Sequence, residues 1–395
     1  MPHGLYIQVP FCQTKCTYCN FHTGVFSVGL QSPYISAVCR EMKMFYEWSE
    51  RAGIDWRANA RVAVNAAAPF SIDTVYVGGG TPSMLDAADL ARLLDTARQS
   101  FPCEWTEITL EADPETITSE RAAAWRAAGF NRISLGAQSF DDRELAAAGR
   151  LHRRAELYAA DQMLRASGFA NISFDLIAGL AHQTRDTWND SLRRLMELRP
   201  EHISIYMLEI DEGSRLGAES LAGGSRYGAA ALPSDDDVAD FYESARSLLA
   251  DAGYEQYEIS NWALPGLRAR HNLKYWQRQP YFGFGAGAHS FDGQERWAKI
   301  HDPAAYAAAI ELGQWPVEQR QRVSPAQALE EELFLGLRQL DGIDVAAIEA
   351  RYGHDLRARL TPLLDQGLVE LRDGWLRLAP ARLAVSNEVF VNLLD

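Results

Sequence analysis

The chain lacks the features of a membrane, secreted or nucleic-acid-binding protein. It has no uninterrupted apolar run of about 18 residues, the length that a membrane-spanning helix needs. Residues 1–11 lack the basic and apolar segments of a signal peptide. The chain has fewer basic than acidic residues, with 38 Lys and Arg and 53 Asp and Glu. A protein that binds a phosphate backbone needs a basic surface. We therefore expect a cytoplasmic protein that does not bind nucleic acid.

Cysteine is scarce, and most of it is concentrated in one place. Of the five cysteines, Cys12, Cys16 and Cys19 form a C-x3-C-x2-C pattern, and thiolates suit iron–sulfur clusters, zinc or copper(I). A cubane cluster is usually held by four cysteines, so three would leave one iron open. His22 could instead complete a Cys3His zinc site. The spacing favours a [4Fe–4S] cluster and keeps zinc as the alternative.

Short apolar strands alternate with amphipathic helices from Leu5 to Ile259. We predict strands at 5–9, 72–77, 107–110, 132–135, 172–176 and 202–208, with helices between them. Such units form a parallel sheet covered by helices, and six or seven are too few to close an eight-stranded barrel. The predicted fold class is α/β, a partial (β/α)6 TIM-type barrel. Two stretches without this periodicity are interpreted as an inserted loop or poorly packed helix (51–70) and a Gly/Ala-rich loop (213–234).

Chemistry-bearing residues follow the predicted strands, at the edge where barrel proteins gather their functional groups. The cysteines follow the first strand. Three glycines and Thr81 follow the second, where exposed backbone N–H groups let a ligand come close. Glu111, Gln138 and Asp175 follow or lie in later strands, and Arg150 follows a helix. Each polar residue alone is more often a cap or part of a salt bridge, so their common edge is what points to a site.

Together these motifs resemble the radical S-adenosylmethionine (SAM) superfamily. The resemblance rests on C-x3-C-x2-C with Tyr18 before the last cysteine, and on the GGGTP turn at 78–82. In that superfamily the three cysteines hold a [4Fe–4S] cluster, and SAM chelates its fourth iron and is cleaved to a radical. The resemblance implies that Cys12, Cys16 and Cys19 are the cluster ligands. It also implies a SAM site formed by Tyr6, Tyr18, Gly79, Gly80, Thr81, Glu111, Gln138, Arg150 and Asp175.

A second distinctive segment is RARHNLKYW at 268–276. Histidine is a common iron ligand and aromatic rings can pack on a porphyrin, although an arbitrary string of this kind is more often a surface or interface patch. The segment resembles the HNxxYW motif of HemW-type heme chaperones, which implies heme contacts by His271, Asn272, Tyr275 and Trp276. His289 follows a G-x-G-x-G run, a weak dinucleotide signal without a Rossmann context; in the family this segment closes the cofactor pocket.

From residue 323 the pattern changes to helices followed by a hairpin. We predict helices within 325–340 and 344–369 and hairpin strands at 368–371 and 375–378, which together look like a winged-helix-type α+β domain. Acidic residues at 330–332 speak against DNA binding there. The predicted domains are a radical SAM core barrel (1–240), a segment that completes the barrel and carries the heme motif (241–322), and a small HemN-like C-terminal domain (323–395).

Two features separate two branches of the family that the motifs resemble. Oxygen-independent coproporphyrinogen oxidases carry a fourth cysteine two residues after the third, and a longer N-terminal extension; here Phe21 stands in that place, and residues 1–5 precede Tyr6. The resemblance therefore implies a chaperone that carries the cluster and SAM, binds heme and hands it to an acceptor, expected to be a respiratory protein at the membrane. An oxidase of heme biosynthesis and a zinc-stabilised binding protein are the alternatives. A homodimer is compatible with the sequence.

Overall fold

Parallel strands form the centre of the molecule, a computed structural model that describes residues 2–54 and 70–393. The central strands, each paired in parallel with the next, are β1 (His3–Val9), β2 (Ile72–Gly79), β3 (Cys103–Ala112), β4 (Arg132–Gln138), β5 (Ile172–Ala178) and β6 (His202–Met207). The helices that follow them are α1 (Gln31–Arg51), α2 (Ala87–Ser100), α3 (Ser119–Ala128), α4 (Asp142–Ala147), α5 (Arg154–Ala166), α6 (Arg185–Leu198), α7 (Arg215–Leu221) and α8 (Asp235–Asp251). This architecture confirms the predicted α/β partial barrel.

Side chains of the central strands alternate between two environments, because successive residues of a strand point to opposite faces. In β1, Leu5, Ile7 and Val9 are fully buried in the apolar core shared with the outer helices. Burial of such side chains stabilises the fold by about 1.5–3 kcal/mol each. Tyr6 points to the opposite face and stacks on Tyr76 of β2, with ring centroids 6.0 Å apart. The inner face of the sheet therefore carries the polar groups of the site.

Further strands extend this sheet at both edges. They are β7 (Glu255–Glu258), β8 (Asn261–Ala263), β9 (Tyr281–Phe284), β10 (His289–Phe291), β11 (Glu295–Lys299) and β12 (Val317–Arg322). The order is β12-β11-β10-β9-β1-β2-β3-β4-β5-β6-β8-β7, with β9 parallel to β1, so the described strands form an open sheet. Of the helices in this region, α9 (Arg270–Trp276) packs on β1 and β2, and α10 (Pro303–Glu311) packs on α1.

The C-terminal part is a small α+β unit, as predicted. It consists of α11 (Pro325–Gly336), β13 (Ile343–Asp344), α12 (Val345–Tyr352), α13 (Arg357–Asp365), β14 (Val369–Arg372), β15 (Trp375–Leu378) and α14 (Ser386–Val391), with the strands in the antiparallel order β13-β15-β14. Backbone bonds join it to the barrel, because Ile259 N–H donates to the Arg338 carbonyl at 3.0 Å and Leu340 N–H donates to the Tyr257 carbonyl at 3.1 Å. The boundaries proposed at 240 and 322 stay predictions.

The structure tests one of the two predicted irregular stretches, 213–234, and describes only the ends of the other, 51–70. The prediction of a loop over 213–234 is wrong in part, because α7 lies within it. Ser214 Oγ caps this helix by accepting the Gly217 N–H at 2.9 Å, and Leu216 is buried, so one anchored apolar residue suffices for a short helix. The insertion predicted at 51–70 lies mostly outside the described residues. Within 2–54 and 70–393, no helix has both the length and the apolar character needed to cross a bilayer.

Candidate cofactor-binding site

The cysteine loop begins where β1 ends and is fixed by backbone bonds along its length. Cys12 N–H donates to the Gly24 carbonyl at 2.9 Å. Thr17 N–H donates to the Ala148 carbonyl at 3.0 Å, and the Thr17 carbonyl accepts from Leu216 N–H at 2.8 Å. The ends of α4 and α7 thus hold the middle of the loop. The three cysteines are free and partly exposed, and burial raises the pKa of the Cys12 thiol.

The glycine turn after β2 lies directly against the cysteine loop. Gly79 has a φ of 118°, which favours glycine, and its N–H donates to Glu111 Oε2 at 2.9 Å. A Cβ atom on Gly80 would lie 2.6 Å from the Phe11 carbonyl oxygen and 2.9 Å from Cys12 Sγ. Glycine is therefore required for the backbone of this turn to approach the Cys12 thiol so closely.

Glu111 carries a carboxylate whose pKa lies near neutral pH. Burial raises its pKa to about 7, although hydrogen bonds from the Tyr76 hydroxyl (2.8 Å to Oε1) and Gly79 N–H act in the opposite direction. Asp175 faces the same cavity and accepts a hydrogen bond from Ser134 Oγ at 3.0 Å; burial raises its pKa as well. Two such carboxylates would be held in their ionised form by a bound cation.

Arg150 connects the cysteine loop to the strand ends. Its Nη1 donates to Cys16 Sγ at 3.5 Å, and its Nη2 donates to the Gly136 carbonyl at 2.9 Å and forms an ion pair with Asp113. The other carboxylate oxygen of Asp113 accepts from Thr81 Oγ1 at 3.1 Å. Hydrogen bonds to charged groups are the stronger ones in proteins, so this chain of contacts fixes the loop and the glycine turn relative to one another.

These elements enclose a cavity of about 530 Å³, a size typical of small-molecule sites. Gln138, whose backbone has a φ of 65°, is at the end of β4 on its wall. The predicted residues that line the cavity are Cys12, Cys16, Tyr18, Cys19, Gly79, Gly80, Thr81, Glu111, Gln138, Arg150 and Asp175. The structure therefore brings together the predicted cluster ligands and most of the predicted SAM residues.

Tyr6 does not line this cavity but supports a residue that does. Its hydroxyl donates to Gln8 Oε1 at 2.6 Å, and its ring stacks on Tyr76, which binds Glu111. Burial holds the pKa of Tyr6 well above its ordinary value, so the hydroxyl keeps its proton as a donor.

His271 is fully buried at the start of α9, away from the cavity lining. Its Nδ1 shares a hydrogen bond with Thr74 Oγ1 at 3.0 Å, and its Nε2 shares one with the Tyr275 hydroxyl at 2.9 Å. Burial, with Lys274 nearby, lowers its pKa to about 3, so the ring is neutral at physiological pH. Both ring nitrogens are occupied by these bonds, and in this arrangement neither is available to a heme iron.

The HNLKYW segment also contacts β3 and the C-terminal unit. Glu107 of β3 accepts the backbone N–H groups of Arg270 and His271, each at 2.9 Å, which fixes the start of α9. Trp276 lies under the Arg338 guanidinium, 4.5 Å from its ring centroid, and thereby contacts the C-terminal unit. Asn272 is partly exposed between them. Heme contact by these residues stays a prediction.

His289 lies at the start of β10, exposed, next to two other histidines. The rings of His22 and His301 pack together with centroids 4.4 Å apart. Partial burial, followed by these two neighbours, lowers the pKa of His289. Among residues 2–54 and 70–393, no three His, Cys, Asp or Glu side chains are arranged to hold one metal ion. The contact of His22 with His301 gives the Cys3His zinc alternative no support.

Asp113, Tyr76 and Tyr206 are among the cavity-lining residues that were not predicted from the sequence. Asp113 follows Glu111 by two residues at the end of β3, and this position was a usable signal. Tyr76 and Tyr206 lie within strands, where a tyrosine is ordinarily a core residue. The sequence of a strand alone does not show which face such a tyrosine occupies; in the structure both line the cavity, and the Tyr76 hydroxyl donates to Glu111.

Comparison with known proteins matches two family models to this chain. Residues 6–195 match the radical SAM superfamily, and residues 323–381 match the HemN C-terminal domain. The first match contains every cysteine-loop, glycine-turn and strand-end residue of the cavity up to Asp175.

Curated relatives cover nearly the whole chain. The heme chaperone HemW of Bacillus subtilis is 31% identical over 98% of this chain and 97% of its own length. HemW of Mycobacterium tuberculosis is 34% identical over 93% of this chain and 89% of its own. Among solved structures, coproporphyrinogen III oxidase (HemN) from Escherichia coli has a TM-score of 0.78 at 21% identity, covering 99% of this chain and 89% of that one, and supports the fold.

Proposed function

We propose a function from one premise: the chain belongs to the radical SAM superfamily and, within it, to the family of HemW heme chaperones. It binds heme and passes it to an acceptor protein, and it carries a [4Fe–4S] cluster and SAM. The acceptor is a respiratory protein, and the chain acts in the cytoplasm with membrane contact only through that acceptor. Support comes from relatives named as heme chaperones that match this chain over nearly its full length.

The residues of the cavity fit a cluster and SAM. Cys12, Cys16 and Cys19 stand on one wall, and the Gly80 turn packs against Cys12 Sγ with no room for a side chain. When bound, the cluster supplies an electron and one open iron position. Arg150 donates to the Cys16 sulfur and places a positive charge beside this predicted cluster ligand. Glu111 and the neighbouring Asp175 attract the cationic groups of SAM.

One feature of the cavity also supports a chaperone over an oxidase. Phe21, at the position where the oxidases carry a fourth cysteine, lines the cavity mouth and is 67% exposed. An exposed phenylalanine offers apolar surface to a flat porphyrin but no thiol chemistry. The alternative, an oxygen-independent coproporphyrinogen oxidase, is supported by the likeness of the whole fold to HemN.

A measurement of coproporphyrinogen turnover distinguishes the heme chaperone from the oxidase. The cluster is reconstituted anaerobically, SAM, a reductant and coproporphyrinogen are added, and products are separated by chromatography. We expect no protoporphyrinogen from protein whose iron, sulfide and SAM contents are intact. Protoporphyrinogen that accumulates with matching 5′-deoxyadenosine, and that is absent with a Cys16→Ala variant, would establish an oxidase.

A further inference from the structure

The segment 149–152, which follows α4, packs against the cysteine loop. At the end of α4 the Ala147 carbonyl accepts a hydrogen bond from Thr17 Oγ1 at 3.1 Å. Gly149 has a φ of 77°, and a Cβ atom there would lie 3.4 Å from Thr17 Cγ2 and 3.7 Å from Cys16 Cα. The position of this segment therefore bears directly on the position of a predicted cluster ligand.

His152 attaches the far end of the segment to the ends of β3 and β4. Its side chain is fully buried and lies outside the cavity lining. Its Nε2 lies 3.1 Å from the Ala137 carbonyl oxygen of β4, and its Nδ1 lies 3.3 Å from Oε2 of Glu115, which follows β3. Arg150 binds in parallel, to the preceding carbonyl of β4 and to Asp113. Alternate side chains of the segment thus meet alternate carboxylates after β3.

The contacts of His152 determine its charge. A carbonyl oxygen can only accept a hydrogen bond, so Nε2 carries a hydrogen. Burial acts to raise the pKa of Glu115, but His152 and the charge of Arg150 lower it below its ordinary value, so this carboxylate is ionised and favours a hydrogen on Nδ1 as well. Neither Nδ1 nor Glu115 Oε2 has a hydrogen-bond partner elsewhere among residues 2–54 and 70–393. His152 is therefore an imidazolium paired with Glu115.

We propose that His152 is a positioning residue of the cluster and SAM site, which fixes the Arg150 segment against the cysteine loop through its ion pair with Glu115. The proposal rests on the proposed binding of a [4Fe–4S] cluster and SAM. His152 acts through two neighbours, because Glu115 lines the cavity and Arg150 donates to Cys16 Sγ at 3.5 Å. A shift of the segment would change both the charge that faces SAM and the hydrogen bond to the sulfur of a predicted cluster ligand.

The reduction potential of the cluster, measured together with the affinity for SAM, tests the proposal. Hydrogen bonds to the sulfurs and nearby charge set the potential of a cluster, whereas a contact that only stabilises the fold leaves it unchanged. His152→Gln retains a donor for the Ala137 carbonyl but cannot form the ion pair, and Glu115→Gln removes the charge with little change in shape. In reconstituted protein we expect each variant to lower the potential and to weaken SAM binding by about tenfold, an effect typical of contacting residues in one ion-pair network.

A double variant and two controls complete the comparison. His152→Gln/Glu115→Gln should be no worse than either single variant, because both changes remove the same ion pair. His354→Gln, at an exposed histidine of the C-terminal unit, and Glu104→Gln, at an exposed glutamate of β3, should keep the wild-type potential and SAM affinity.

The outcomes separate this proposal from the function on which it rests. Wild-type protein that takes up no iron and sulfide, or binds no SAM, would contradict the proposed function. Wild-type protein that binds both, with an unchanged potential and SAM affinity in His152→Gln and Glu115→Gln, would overturn the role of His152 alone. Effects of the single variants that add in the double variant would likewise overturn the pair. If His152→Gln does not fold, Glu115→Gln, which keeps the histidine, gives the same comparison.

Discussion

The rings of Tyr76 and His271 stack with their centroids 5.3 Å apart, 30° from parallel. The hydroxyl of the same tyrosine donates to Glu111 in the wall of the cavity. Tyr76 therefore links the HNLKYW segment to the predicted SAM site, although His271 itself lies outside the cavity lining. We infer that this segment helps to position Glu111 of the SAM site through Tyr76. This role does not depend on whether the segment also contacts heme.

Tyr76→Phe tests this link. The variant keeps the ring stack on His271 but removes the donor to Glu111, and hydrogen bonds to charged groups contribute about 1.5–3 kcal/mol. We expect SAM affinity, measured by calorimetry on reconstituted protein, to fall by about tenfold. Tyr46→Phe, a tyrosine of α1 away from the cavity lining, is the matched control. Equal SAM affinities in both variants would mean that the hydroxyl has no part in the site.

The high pKa of Glu111 predicts a pH dependence of stability. The folded-state pKa of about 7 lies above the ordinary value of 4.5, so the folded protein binds this proton more tightly. The resulting stabilisation is complete below about pH 4.5 and is lost as the pH rises through 7. The free energy of unfolding should fall by at most about 3 kcal/mol over this range, and by less where solvent enters the cavity. Denaturant unfolding of SAM-free protein should show this slope, and Glu111→Gln should lack it.

The control for this slope is Glu104→Gln, an exposed glutamate of β3, which should leave it unchanged. SAM should bind more tightly as the pH rises through 7, because only the ionised Glu111 attracts a cation. If Glu111→Gln kept the wild-type pH profile of SAM affinity, another group would be responsible.

Gly80→Ala tests the contact between the glycine turn and the cysteine loop. The added methyl group meets the Phe11 carbonyl oxygen and Cys12 Sγ at distances that force movement, and overpacking of this kind costs about 1–3 kcal/mol. We expect reconstituted iron and sulfide per chain to fall while the circular dichroism remains. Gly29→Ala, where a methyl group meets only Ser27 Oγ at 3.6 Å, should load the cluster normally. Full loading of the Gly80 variant would show that the loop can shift without losing its ligands.

The sequence was sufficient to predict the fold class and the residues that the cysteine loop, the glycine turn and several strand ends contribute to the cavity. Parallel strands place their carboxyl ends at one edge, so Glu111 and Asp175 meet there once the strand–helix alternation is recognised. The role of Asp113 was not predicted, because its partners Thr81 and Arg150 come from distant segments. The burial of His271 depends on how α9 packs on β1 and β2, which local pattern does not encode.

The most direct test of the proposed heme chaperone function is a heme titration of the wild-type protein with its cluster and SAM in place. Absorption at the Soret band is followed as heme is added, and the complex is then passed through a size-exclusion column. We predict a saturable curve with an equimolar end point and heme that stays with the protein through the column. A linear, unsaturable curve, with the heme lost on the column, would contradict the assignment of this chain as a heme chaperone.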